Sequence, residues 1–279
     1  MDVELAEERV LILPEQLSEE QAETRAWVKR LDAFGTMAKM SGLLARPKDQ
    51  EFELIYKERR LQPFWRLVAT AVSVYERRRD YVVKVAPGVT AVDIAGARQP
   101  TPSGSFTLSG LESCREEQHK EFLFDGLTKA QDPDLAGHLK VEGAVVGADQ
   151  LAEVAAAGTI VVPPQVKASM IVRETIAGMV GRIDADRVLE ETMRLETVDL
   201  YYRPIYAFRY RRQGKEAVVE VDALSGLARA GGATFERYLG KVLDPVFLFD
   251  MTVEAANIFL PGATLVRVLV NKGLEMRKT

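Results

Sequence analysis

Between Tyr202 and Arg211 the chain alternates with a period of two. Tyr202, Pro204, Tyr206, Phe208 and Tyr210 fall on one side of an extended backbone, and Arg203, Ile205, Ala207, Arg209 and Arg211 fall on the other. The pattern predicts a half-buried strand whose rings enter a core and whose arginine side is mostly solvated. Gln213-Gly214 then supplies a turn, and Ala217 to Val221 returns as a β-branched strand ending in Asp222-Ala223-Leu224-Ser225-Gly226. The whole stretch reads as a β-hairpin.

A partial counterpart begins at Leu54. There Pro63 precedes Phe64 and Trp65 and a long strand, Glu76 to Arg79 is expected to turn, and Asp80 to Val85 to return. Proline has no amide donor, so Pro63 and Pro204 are both expected at strand starts or on an edge. Helix-forming segments with apolar residues three or four apart precede each hairpin, at Gln21 to Leu44 and Ser169 to Leu195. The expected fold is therefore α+β, with two helix-plus-antiparallel-sheet units related by a possible duplication. An N-terminal unit with inserted strands would occupy residues 1–162, and a C-terminal unit followed by a helical segment residues 163–279.

Local signals place the other elements. Ser18-Glu19-Glu20-Gln21 matches a capping box and starts the first helix. Pro87-Gly88 marks a turn, Val89 to Ile94 a strand, and QPTPSG at residues 99–104 a loop. Phe106 to Leu111, Lys120 to Phe124 and Leu139 to Val146 read as further strands, Asp149 to Ala157 as a helix, and Thr159 to Val162 as a strand stopped by Pro163-Pro164. Beyond residue 226 the chain reads as mainly helical, divided at Asp244-Pro245 and Leu260-Pro261-Gly262.

At 47% apolar and 28% charged residues, the 279-residue chain has the composition of a folded globule. A net charge of −4 exerts no general pull on nucleic acid. The single cysteine, Cys114, fits a reducing compartment, and the acidic opening MDVELAEERVLILPEQ is unlike a signal peptide. With no long uninterrupted apolar run, no transmembrane segment is expected, and the expected location is the cytoplasm.

A helix followed by a hairpin whose second strand ends in Asp-x-x-Ser/Thr-Gly resembles the PepSY module over residues 168–226, through Asp222, Ser225 and Gly226. In the first half Asp125 and Thr128 match, and Lys129 stands where that family has glycine. The resemblance implies a bacterial α+β unit with a cystatin-like helix on a curved antiparallel sheet, acting as an interaction module. Read from the residues alone, Asp222 can accept amides in an Asx turn while Gly226 takes a positive φ, which makes the motif a structural turn.

Chemistry-bearing motifs are sparse. Two histidines and one cysteine provide no closed metal-ligand set, and no phosphate loop, dinucleotide fingerprint or nucleophile elbow is present, so no catalytic, cofactor-binding or metal residue is assigned. Cys114 and His119 could act as nucleophile and base only if they met in space. The arginines of the two hairpins, Arg77, Arg78 and Arg79 with Arg203, Arg209 and Arg211, are the candidate interaction residues, and on one surface they could follow a nucleic-acid backbone. The leading expectation is a non-catalytic interaction or regulatory protein with a protein partner or a second copy of itself. Nucleic-acid binding and an enzyme built on Cys114 and His119 are the alternatives.

Overall fold

The computed structural model describes residues 2–35, 48–179, 181 and 183–231. In chain order the strands are β1 (Asp2–Leu5), β2 (Glu8–Ile12), β3 (Glu53–Lys84), β4 (Ala91–Ile94), β5 (Ala97–Pro100), β6 (Ser105–Asp125), β7 (Ala144–Val145), β8 (Ile160–Val161), β9 (Arg187–Arg212), β10 (Lys215–Asp222) and β11 (Ala228–Ala230). The α-helices among the described residues are α1 (Glu19–Ala33), α2 (Ala148–Ala156) and α3 (Ala168–Met179).

Two long strands make the spine. β3 and β9 run antiparallel from Glu53 opposite Arg211 to Glu76 opposite Arg187, with bulges along the way. Along the far edge of β9, β1 and β2 pair parallel to its first half and β10 pairs antiparallel to its second half. Along the far edge of β3, β8 pairs at Arg60 and Leu61, and β6 pairs from Phe64 to Lys84. The product is one mixed nine-stranded sheet, with β4 and β5 as a separate two-stranded hairpin. The expected pair of helix-plus-sheet units is thereby overturned, because the two proposed hairpins are neighbours within a single sheet. Residues 232–279, where the helical segment was expected, lie outside the described residues.

Pro63 and Pro204 sit inside these long strands, opposite Tyr202 and Leu61, and the backbone explains how. The Pro63 carbonyl accepts from Gly126 N at 3.1 Å and the Pro204 carbonyl from Ala223 N at 2.9 Å, so both residues direct their backbone groups away from the spine pairing. On that outer side Pro63 falls where β8 ends and β6 begins, and Pro204 where β2 ends and β10 begins. Each missing donor lies in a gap between neighbouring strands, where no partner carbonyl waits for it.

The expected turn at Glu76 to Arg79 is also corrected, since β3 continues through it. Those residues stay paired to Ser113 through Gly110 of β6, and no glycine or asparagine offers a positive φ there. The positive-φ residues come later, at Gly88, at Ala95-Gly96 and at Gly104. Likewise, Ser169 to Leu195 divides into α3 and the first part of β9.

The ring face of β9 behaves as its alternation requires. Tyr206, Phe208 and Tyr210 are buried with Val219 and Val221 of β10 beneath Ala22 and Ala26 of α1. That helix starts at the Ser18 capping box, with Gln21 N donating to Ser18 Oγ at 3.3 Å and Ser18 N donating to Gln21 Oε1 at 3.1 Å. On the same face, α2 and α3 bring Leu151, Ile171, Val172 and Met179 over Trp65, Leu67, Leu195 and Leu200. The opposite face is drier than expected, with Ile205 and Ala207 buried and a 3-10 turn, Pro133–Lys140, laying Leu135 beside Phe64 and Tyr201.

Candidate interaction surface

The named arginines form two separate groups. Arg203, Arg209 and Arg211 project from odd positions of β9, on the face opposite α1, and each has an acid within reach. Arg203 lies 3.6 Å from Asp222, Arg209 lies 3.4 Å from Glu216, and Arg211 lies 2.9 Å from Glu216 and 3.6 Å from Glu53. Arg60 and Glu220 add a further pair at 2.8 Å on this face, spanning β9 above the small side chain of Ala207. Arg209 also sits over the Tyr56 ring, 5.4 Å from its centroid.

The second group lies far off. Residues 53 and 77 of β3 are roughly 80 Å apart along the strand at about 3.3 Å per residue, so the two groups occupy opposite ends of the sheet. Arg77 and Arg79 converge on Glu112 at 2.6 and 3.8 Å, and the Arg78 backbone amide donates to Asp186 at 2.5 Å. Hydrogen bonds from Tyr81 and Arg77, with burial opposing them, hold Glu112 below the usual carboxylate range. The six arginines therefore do not build one basic surface.

Cys114 and His119 are likewise not brought together. They occupy β6 opposite Tyr75 and Thr70, and an even and an odd position of one strand face opposite sides. His119 Nδ1 meets Thr70 Oγ1 at 2.9 Å. No group of three or more metal-binding side chains occurs among the described residues.

Sequence reasoning did not pair His138 with Asp222. The 3-10 turn carries His138 Nε2 to 2.6 Å from Asp222 Oδ2, and Oδ1 accepts from Leu224 N at 3.0 Å and Ser225 N at 2.8 Å. Burial raises the Asp222 pKa, but the His138 bond, the Ser225 amide and Arg203 outweigh it and bring the carboxyl down to about 2. His138 Nδ1 is buried without a hydrogen-bond partner. With Nε2 on Asp222, the ring clamps the 3-10 turn on the sheet. A cavity of about 410 Å³ borders this clamp, lined by Asp132, His138, Arg203, Ser225 and Arg229 among others.

The turn at Asp125 repeats that geometry. Its Oδ1 accepts from Leu127 N at 2.9 Å and Thr128 N at 2.8 Å, and Lys129, with φ of 67°, takes the place of Gly226, with φ of 72°. Both are Asx turns closed by a residue in the left-handed region.

Among the described residues, several large apolar side chains are exposed on the strand pair that carries Arg77, Arg78 and Arg79. Past Glu76, β3 loses β9 as a neighbour and continues with β6 as a two-stranded arm, residues 77–84 against 105–112. Tyr81, Val82, Val83, Leu108 and Leu111 are exposed on it, Val82 at 69% and Leu111 at 60%. Nearer the base, residues 115–121 of β6 are all exposed, and among the described strands β6 pairs with β3 alone. No family model, curated protein or solved structure matches the chain. No helix among the described residues is long and apolar enough to cross a membrane.

Proposed function

We propose that this is a non-catalytic interaction protein of the bacterial cytoplasm, and that the β3–β6 arm with its open edge is the element that recognises a partner. The carrying observation is the exposed set Tyr81, Val82, Val83, Leu108 and Leu111 on a ribbon that, among the described residues, pairs with no third strand. Two-stranded ribbons are marginal alone in water, and this one exposes apolar side chains on both faces, Tyr81, Val83 and Leu108 on one and Val82 and Leu111 on the other, which favours burial against another surface. The unpaired edge offers backbone donors and acceptors to an added strand. The lone half-buried cysteine, Cys114, supports the reducing compartment.

Acidic partners beside the arginines at Glu112 and Glu216 weigh against a nucleic-acid surface, and the separation of Cys114 from His119 weighs against the thiol enzyme. A photo-crosslinking side chain at Val82 or Leu111 in the native host should give discrete adducts, while one at Val28, 74% exposed on α1, should give none. Absence of adducts on the arm, or equal labelling at all three positions, would overturn the reading.

A further inference from the structure

We infer that the partner at the open edge of β6 is a second copy of this chain, joined by antiparallel β6–β6 pairing about a two-fold axis at Gln118. The inference rests on the interaction reading above and names the occupant of the open β6 edge at its base, residues 115–121.

Backbone geometry shows which groups are available. Leu123 O accepts from Asp132 N at 3.0 Å and Asp125 N donates to Ala130 O at 2.9 Å, both on the side away from β3. Odd-numbered residues of β6 therefore direct their amides and carbonyls outward, while even-numbered residues bond to β3. The segment 130–132 covers the edge at 123–125. From Phe122 back towards the arm the edge pairs with nothing among the described residues.

The sequence along that open edge is Arg115-Glu116-Glu117-Gln118-His119-Lys120-Glu121. Folded about Gln118, it complements itself. Arg115 meets the partner's Glu121, Glu116 meets the partner's Lys120, Glu117 meets the partner's His119, and the Gln118 amides meet each other. The two-fold axis repeats every unlike pair. Antiparallel partners must share a face, and each of these pairs joins odd to odd or even to even. Arg115–Glu121 and Glu117–His119 fall at outward-directed residues that exchange backbone hydrogen bonds. Glu116–Lys120 and Gln118–Gln118 fall at the closer, non-hydrogen-bonded positions.

Neighbouring registers lose this match. Moving the axis to Glu117 sets that glutamate against its own copy, and moving it to His119 sets Glu117 against Glu121. Charge on an edge strand commonly prevents pairing. Here the order of signs admits one antiparallel register with itself and penalises those beside it. Among the described residues the same side chains reach inward or along their own strand: Glu121 to Arg66 at 2.7 Å, Glu116 to the Tyr75 hydroxyl at 2.7 Å, and Arg115 to Glu117 at 3.3 Å. Among the described residues, no strand lies on their outer side.

Sedimentation of the full chain tests the idea with two charge-reversed variants. In Lys120→Glu, position 120 opposes Glu116 twice across the axis, and in Glu116→Lys, position 116 opposes Lys120 twice. Each variant alone should dimerise roughly tenfold or more weakly than the native chain. An equimolar mixture of the two should recover the dimer, because both cross-axis pairs are again unlike. Recovery on mixing also proves that each variant is folded. In a Cys114→Ser background, Gln118→Cys should give a disulfide-linked dimer on mild oxidation, and Leu108→Cys should not. A native chain that stays monomeric, variants that dimerise as the native chain does, or a mixture that fails to recover would overturn the inference. Arm adducts of another protein beside a monomeric native chain would defeat the two-fold pairing and leave the interaction reading standing.

Discussion

The β9–β10 hairpin and the β3–β6 hairpin end in the same Asx turn, with Asp222 and Asp125 each accepting two amides, yet their strands have opposite fates. β10 is short and lies under α1, so Phe208, Tyr210, Val219 and Val221 are fully buried. β6 is 21 residues long and, among the described residues, extends past the end of β9. The covered hairpin holds the molecule together, and the uncovered one presents strand edge and apolar side chains outward. Similar turn chemistry thus fixes how a strand ends, while the neighbouring elements decide what its faces do.

The largest contrast is in packing. Phe208→Ala removes a ring with no solvent exposure from beneath α1 and should cost about 3–5 kcal/mol in denaturant unfolding. Val82→Ala on the arm should stay within about 0.5 kcal/mol of the native chain. Equal losses at the two sites would mean that the arm has its own buried face, and the comparison would fail.

The next contrast is electrostatic and concerns the His138 clamp on the covered hairpin. Asp222 has its pKa lowered from 3.8 to about 2, so its stabilising effect is present above the unfolded value and is lost as pH falls from about 3.8 towards 2. Asp222→Asn should therefore cost about 2 kcal/mol near neutral pH. Chemical denaturation across pH should show that deficit closing below pH 4, and a pH-independent deficit would assign the loss to packing instead.

Several of these features are legible in the residues. The alternation from Tyr202 to Tyr210 gives the strand and its buried face, because period two is a local property of the chain. The Ser18 box gives the helix start, and Gln213-Gly214 gives the turn, with φ of 50° and 76°. The pairing of β3 with β9 is not legible, since it joins residues far apart in sequence, and two similar segments read equally well as separate units. Charged residues 76–79 suggest a turn by composition, although nothing there takes a positive φ. The His138–Asp222 contact links an unremarkable histidine to a turn aspartate across 84 positions, and only the folded 3-10 turn brings them together. The signs around Gln118 stand in plain view, but they acquire meaning only once β6 is known to be an edge.

The smallest contrast lies in the residue that closes each Asx turn. Gly226 and Lys129 hold nearly the same φ, but a Cβ on Gly226 would come within 2.0 Å of Arg25 Nη1, whose partner is the Gly226 carbonyl at 2.9 Å. The clash falls on the end of a flexible side chain, so Arg25 can move aside at the cost of that bond. Adding the left-handed backbone cost for a residue with a Cβ, Gly226→Ala should lose about 1–2 kcal/mol. At the other turn the Lys129 side chain has room and reaches Glu174 at 2.5 Å. Lys129→Gly should relieve the same backbone cost while giving up an exposed ion pair worth little, leaving a net change of less than about 1 kcal/mol. Thermal unfolding of the two variants side by side checks this, and a Gly226→Ala protein as stable as the native chain would show that Arg25 does not tie α1 to the covered hairpin.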